Sequence, residues 1–314
     1  MKLEVVEISK SFGEKKVLDR VSFSAESGSA VGILGRNGAG KTTTIRIIMG
    51  FFPADCGSVF VDGAPLDPKK IKIGYLPEER GLYPKKKIGE QMIYLARLRG
   101  MSASDAENSV RYWLDRVGLS EYYNKRLDVL SKGNQQKVQL ALTLVNRPDI
   151  IILDEPFSGL DPVNALMLKN LISEYTEEDK LALFSSHQMN QVEEFCDDVA
   201  ILNEGKIVLS GNLKEIKRGY PRDVLTISLD CSSTEADRAY RDLEALLRRS
   251  ELSSAVRHTE KRGDAIHVTL SHSSDREAVV KSLLDYHVQF ARVAVLEPTL
   301  EEIFISATRE EAAV

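Results

Sequence analysis

Eight residues of the 314-residue chain, Gly35-Arg36-Asn37-Gly38-Ala39-Gly40-Lys41-Thr42, carry the spacing that holds a run of phosphates. The glycines let successive backbone N–H groups turn inward as an anion-binding nest, and a helix opening behind them adds its positive end. Arg36, Asn37, Gly38, Ala39, Gly40 and Thr43 would then supply the wrapping backbone. Lys41 can reach the β- and γ-phosphates, and the Thr42 hydroxyl can ligate Mg²⁺. More than a hundred residues on, Asp154-Glu155 close the run Ile150-Ile151-Ile152-Leu153. Asp154 can hold Mg²⁺ through its water shell, and Glu155 can polarise an attacking water. The two stretches together imply a nucleoside triphosphate site with a hydrolytic step.

The flanking residues turn these strings into elements. Ala30-Val31-Gly32-Ile33-Leu34 reads as a strand ahead of the glycine-rich loop, and Thr43–Met49 as the helix behind it. Four apolar residues before Asp154 make a buried parallel strand, whose C-terminal end is where an α/β sheet binds its ligand. Leu3, Val5 and Ile8 alternate with polar residues in a strand that ends at Ser11-Phe12-Gly13. Phe12, in a turn and followed by Val17, can stack on a purine ring, although a phenylalanine after a strand more often packs in a core. Ile71–Leu76 is a strand stopped by Pro77, and Glu78–Pro84 is a polar loop. Residues 88–117 carry helical periodicity through Ile88, Met92, Leu95, Leu98, Val110, Trp113, Leu114 and Val117. Leu130-Ser131-Lys132-Gly133-Asn134 then leads into a helix over Val138–Asn146, with Ser131 an N-cap by type. Lys85-Lys86-Lys87 is a solvated run or a contact for an acidic partner.

Composition narrows the class. The length suits two domains, and 43% hydrophobic with 28% charged residues is a globular balance. No apolar run reaches the length of a membrane span, and Met1-Lys2-Leu3-Glu4 lacks a signal-peptide core. A net charge of −5 argues against general nucleic-acid binding. Cys56, Cys196 and Cys231 are too scattered for a disulfide framework or a zinc site, which fits a reducing cytoplasm.

The C-terminal third has its own pattern after the turn at Gly219-Tyr220-Pro221. It reads as strand 224–229, helix 235–249, two strands around Gly263-Asp264, helix 275–286, strand 290–296 and a helix from Leu300. The order βαββαβ predicts a small α+β domain, ferredoxin-like, with helices on one sheet face. Thr299 and Glu302 have capping-box spacing at the start of the last helix.

Taken in order, these motifs resemble the ATP-binding cassette (ABC) family over residues 1 to about 215. Gly35–Thr42 is similar to its Walker A, Ile150–Glu155 to its Walker B with the catalytic glutamate, and Ser158-Gly159-Leu160-Asp161 to its D-loop. His187, after Leu183-Phe184-Ser185-Ser186, matches the switch histidine, Phe12 the A-loop aromatic, and Leu130–Asn134 the signature. Tyr75-Leu76-Pro77-Glu78-Glu79-Arg80-Gly81-Leu82-Tyr83 and Glu297–Phe304 resemble bacterial export-type subunits of the sodium and drug (NatA-like) branch. Four positions depart from the family: Lys132 and Asn134 stand for Gly and Gln in the signature, Glu78 for the usual glutamine, and Arg36 for a common proline. Glu78 keeps an acceptor for a metal-bound or attacking water but adds negative charge beside the phosphates.

The resemblance implies a P-loop NTPase cassette over 1–218: a parallel-sheet core, an antiparallel β subdomain and a helical subdomain at about 75–145. A second domain follows at 221–314. It implies ATP and Mg²⁺ as ligands, with Glu155, His187, Lys41 and Glu78 catalytic and Thr42, Asp154 and Glu78 around the metal. Ser131, Gly133 and Asn134 would close on the ATP of a second subunit, so that two ATP are sandwiched in a head-to-tail dimer. A separate membrane permease would dock near Glu78–Lys87, placing the chain in the cytoplasm on the inner face of the membrane. Two other readings remain at this level: a soluble cassette ATPase of DNA repair or translation, and a regulatory cassette that hydrolyses weakly.

Overall fold

The computed structural model describes residues 1–312 apart from 68, 80, 159, 231–235, 249–251 and 253. Arg80, Gly159 and Cys231, named above, lie outside the described residues. In chain order the elements are β1 (Lys2–Phe12), β2 (Lys15–Glu26), β3 (Ala30–Leu34), α1 (Lys41–Ile48), β4 (Cys56–Val61), β5 (Ala64–Pro65) and β6 (Ile73–Leu76). Then come α2 (Ile88–Leu98), α3 (Ala103–Arg116), α4 (Lys132–Leu144), β7 (Ile150–Asp154), α5 (Pro162–Glu177), β8 (Leu181–Ser186), α6 (Met189–Phe195), β9 (Asp198–Asn203) and β10 (Lys206–Asn212). The remainder is α7 (Leu213–Gly219), β11 (Val224–Leu229), α8 (Ala236–Leu247), β12 (Val256–Arg262), β13 (Ala265–Leu270), α9 (Arg276–Asp285), β14 (Phe290–Val295) and α10 (Leu300–Ala312). Two compact units result, Met1–Leu213 with Phe304–Val314, and Lys214–Ile303. No helix among the described residues is long and apolar enough to cross a membrane.

The first unit holds two sheets. One runs β10-β9-β3-β8-β7-β6, parallel except for β10, and the other is the antiparallel β2-β1-β4-β5. Every residue of β3, β7 and β8 is buried, as expected of strands covered on both faces. Strand alternation divides their side chains between two cores. Ile150 and Ile152 join Ile45 and Ile48 of α1 and Leu3 and Val5 of β1. Ile151 and Leu153 face the other way, toward Met92, Val110, Leu140 and Leu168 of α2 to α5. The sheet is thereby clamped between the antiparallel layer with α1 and a helical layer.

The helical periodicity over 88–117 resolves into two helices. Gly100, at φ +90°, ends the first, and the Ser102 hydroxyl caps the second by accepting from Asp105 N at 3.1 Å. Helix α4 starts at Lys132, well before the expected Val138, because Ser131 accepts from Asn134 N. Its buried C-terminal half runs close to β6: a Cβ on Gly74 would sit 2.6 Å from the Thr143 carbonyl and 2.9 Å from Pro148.

In the second unit the sheet order is β12-β13-β11-β14 with antiparallel neighbours, the ferredoxin-like arrangement. Leu225, Ile227, Ile266 and Val268 pack under Leu243 and Leu247 of α8 and Val279 and Leu283 of α9. The Thr299–Glu302 capping box forms, with bonds of 2.9 and 3.2 Å.

The approach of β6 to α4 yields a stability test. Gly74→Ala must push α4 off the sheet, at a cost of about 1–3 kcal/mol. A melting temperature lower by about 2–4 °C per kcal/mol is expected in a thermal scan.

Candidate functional site: a phosphate loop facing two carboxylates

Strand β3 delivers the glycine-rich loop to the C-terminal edge of the sheet, and β7 and β8 deliver their own ends beside it. Gly40 takes φ +111°, and a Cβ there would lie 2.5 Å from Leu18, so the loop needs glycine at this position. Asn37, Gly38, Gly40, Lys41, Thr42 and Thr43 line a cavity of about 350 Å³, together with Lys15, Val17, Glu78, Asp154 and Glu155.

Lys41 is only 7% exposed. Its ammonium donates to the carbonyls of Gly35 (2.8 Å) and Arg36 (3.4 Å) and lies 3.7 Å from Glu155 Oε1. Burial pulls its pKa below the ordinary lysine value, and the carboxylates of Glu155, Asp154 and Glu78 work against that fall. Asp154, 3% exposed, accepts three hydroxyl bonds: from Ser185 on Oδ1, and from Thr42 (3.4 Å) and Tyr75 (3.3 Å) on Oδ2. Desolvation first, and then the Asp154 charge, push the Tyr75 phenol up to about 12, so it is a donor at neutral pH.

Glu155 adopts φ +50°, an unusual conformation for a residue with a Cβ and one that costs on the order of 1 kcal/mol. Its N–H is held by the Ser185 carbonyl at 3.1 Å. Oε2 accepts from Ser186 (3.3 Å), and Oε1 sits 2.8 Å from His187 Nδ1. A carboxylate only accepts, so Nδ1 is the protonated ring nitrogen.

The remaining expected site residues lie elsewhere. Phe12 is 49% exposed, meets Phe52 edge-on at 5.6 Å, and is not among the residues lining the cavity. Arg36 is exposed and Ala39 is buried, neither of them on the cavity wall. Ser131, Gly133 and Asn134 sit at the start of α4 and do not line the cavity of their own chain. Gln136, one turn further, donates to the Pro156 carbonyl at 2.5 Å. Asp161 caps α5, accepting from Asn164 N at 3.0 Å; this bond foremost holds its carboxyl below the usual range. Sequence reading missed Lys15 and Tyr75. The sequence carries no local signal for Tyr75, whose contact with Asp154 is set by the pairing of β6 on β7.

Thr42 and Asp154 present hard oxygens 3.4 Å apart on one wall, with Glu78 on the same cavity, a donor set suited to a small divalent cation that also takes phosphate oxygens.

A doubly covered parallel sheet with this loop and these carboxylates defines a P-loop nucleoside triphosphatase cassette. Residues 18–158 match the family model described as ABC transporter, and residues 211–308 match the model for the C-terminal domain of DrrA1-3-like ATP-binding proteins. The chain is 45% identical over 229 residues to the uncharacterized ABC transporter ATP-binding protein YhaQ of Bacillus subtilis, covering 73% of this chain and 77% of that one. It is 35% identical to the ABC transporter ATP-binding protein NatA of the same organism, over 68% and 91% of the two chains. It is 29% identical to the Nod factor export ATP-binding protein I of Burkholderia lata, over 97% and 96%. A solved ATP-binding subunit of an ABC transporter superposes with a TM-score of 0.64 at 31% identity, covering 69% of this chain and 92% of that one. The chain therefore belongs to the ATP-binding subunits of ABC transporters, ATPases that dimerise and work with membrane permeases.

The place of Lys41 gives the first functional test. Lys41→Ala removes the buried ammonium that lies 3.7 Å from Glu155 Oε1, and loss of ATP binding or turnover is expected by equilibrium dialysis and phosphate release. Unchanged activity would remove the phosphate-loop assignment.

Proposed function

We propose that the chain is the ATP-hydrolysing subunit of an exporter, closing with a second cassette, identical or related, around two ATP to drive a separate permease. The observation that carries the hydrolytic half is the buried Glu155 carboxylate, between the phosphate-loop lysine at 3.7 Å and His187 Nδ1 at 2.8 Å. Relatives support export: the sodium and drug branch by resemblance to NatA, and Nod factor export by a relative that aligns along nearly the whole chain.

The cavity residues then take separate roles. Backbone N–H groups of Asn37 to Thr43 cradle the phosphates, and Lys41 exchanges its loop carbonyls for β- and γ-phosphate oxygens. Thr42 and Asp154 hold Mg²⁺, with Glu78 contributing through water; the metal, when bound, neutralises charge developing on the phosphates. Glu155 accepts the proton of the attacking water as its oxygen bonds to the γ-phosphorus and the bond to the β–γ bridging oxygen breaks. His187 keeps that carboxylate aimed through Oε1. Phe12 and Val17 take the nucleoside end, with Phe12 swinging off Phe52 to do so.

Ser131, Gly133 and Asn134 act on the γ-phosphate of the neighbouring subunit, because none of them faces the cavity of its own chain. The segment Glu78–Lys87 joins the γ-phosphate to the permease, and on this reading the chain works at the inner face of the membrane with no nucleic acid as partner. We also assign 1–218 to the cassette and 221–314 to an appended domain.

Glu155→Gln tests this reading. Retained ATP binding, turnover lower by roughly 10² or more, and an ATP-bound dimer are expected by dialysis, phosphate release and size-exclusion chromatography. Fast turnover in that variant would remove Glu155 from its role. The same protein, incubated with ATP–Mg²⁺ and gently solubilised membranes, should retain a polytopic membrane protein; ribosomes or DNA-bound proteins in its place would overturn the exporter reading.

A further inference from the structure

Asp154 draws a hydroxyl from the strand that leads into Glu78. The register Tyr75↔Ile152 puts Tyr75 on the face of the sheet that Ile152 and Asp154 share, so its phenol rises beside the carboxylate and meets Oδ2 at 3.3 Å. Three other contacts fix that phenol. The ladder to β7 holds its backbone, Thr143 of α4 donates to its carbonyl at 3.3 Å, and the Phe51 ring meets its ring edge-on at 6.2 Å. The last torsion of an aspartate is soft, so one bond on Oδ1 from Ser185 leaves the carboxylate free to rotate. On Oδ2 the other donor is Thr42, at the longer distance of 3.4 Å, and Thr42 is itself wanted by the metal.

We propose that Tyr75 is a positioning residue whose hydroxyl holds Asp154 Oδ2 beside Thr42 Oγ1 and so sets how strongly a divalent cation tightens nucleotide binding. The proposal rests on the reading of Thr42 and Asp154 as the metal-holding pair. Tyr75 is not among the residues that line the cavity. Removing its hydroxyl leaves the phosphate cradle and Lys41 in place and loosens only the carboxylate. Groups that orient metal ligands through hydrogen bonds carry about tenfold or more in metal affinity.

The test compares two dissociation constants of the full chain for the β,γ-imido analogue of ATP, one in EDTA and one in Mg²⁺, by equilibrium dialysis. Their ratio is the tightening due to metal. In Tyr75→Phe the ratio should fall about tenfold while the EDTA constant stays at the parent value. An unchanged ratio overturns the proposal. A parallel loss in both media also overturns it, since that is the mark of a packing residue. Both constants are read well below the melting temperature, so a lower melting point in the variant does not disturb the ratio. A parent chain whose ratio is already one, or a Thr42→Ala chain that keeps the full ratio, would instead dismantle the metal pair itself.

Discussion

Burying one ammonium and two carboxylates within a few ångströms is the constraint from which the first unit's architecture follows. Lys41, Asp154 and Glu155 are all buried, and an ion taken out of water is tolerated only with partners arranged around it. Those partners come from three strand ends. β3 brings the loop with the Gly35 carbonyl, β7 brings the carboxylates, and β8 brings Ser185, Ser186 and His187. In the sheet β8 lies between β3 and β7, so its hydroxyls are at hand for both carboxylates. A different strand order would leave at least one of the charges without its donor.

The same arrangement explains why the site calls for a divalent cation on the proposed reading. Asp154, Glu155 and Glu78 face the cavity against Lys41, Lys15 and the start of α1. A triphosphate adds further negative charge to a wall that is already acidic. Lys41 is itself engaged by its own loop, and its bonds to the Gly35 and Arg36 carbonyls must be exchanged for phosphate oxygens. Metal at Thr42 and Asp154 offsets the added charge where the carboxylates are densest, so metal and nucleotide bind together more readily than either alone. Glu78, standing where a neutral glutamine is usual, strengthens that coupling.

How much of this was legible in the sequence depends on the range of the interaction. The loop, the β3 and β7 runs and the Asp154-Glu155 pair are local patterns, and composition with spacing is enough to read them. So is the βαββαβ order of the second unit, whose sheet forms in the antiparallel order that the pattern predicts. The break between α2 and α3 was written in Gly100 and the Ser102–Asp105 spacing, yet the apolar periodicity ran across it and masked it. Helix α4 begins earlier than its apolar residues because its cap, Ser131, outweighs the polar composition of the first two turns. Tyr75 could not be read at all, since its partner is set by the register of β6 on β7 and by nothing near it in the chain. Lys15 and the Phe12–Phe52 contact are of the same kind, products of how a hairpin folds back onto a distant loop.

Helix α4 is bonded at both of its ends to the machinery of its own chain, which bears on how two sites in a dimer would sense one another. Near its N-terminus Gln136 donates to the Pro156 carbonyl, the residue after Glu155, and near its C-terminus Thr143 donates to the Tyr75 carbonyl, three residues before Glu78. The tight Gly74 contact leaves little slack between them. On the proposed reading Ser131 and Gly133 at the head of α4 serve a neighbour's ATP, while Glu155 and Glu78 serve the chain's own. On that reading a change at either carboxylate is carried along α4, whose C-terminal half is buried, to the surface that meets the other subunit. Packed helices shift between discrete positions rather than deform, so coupling of this kind acts as a switch.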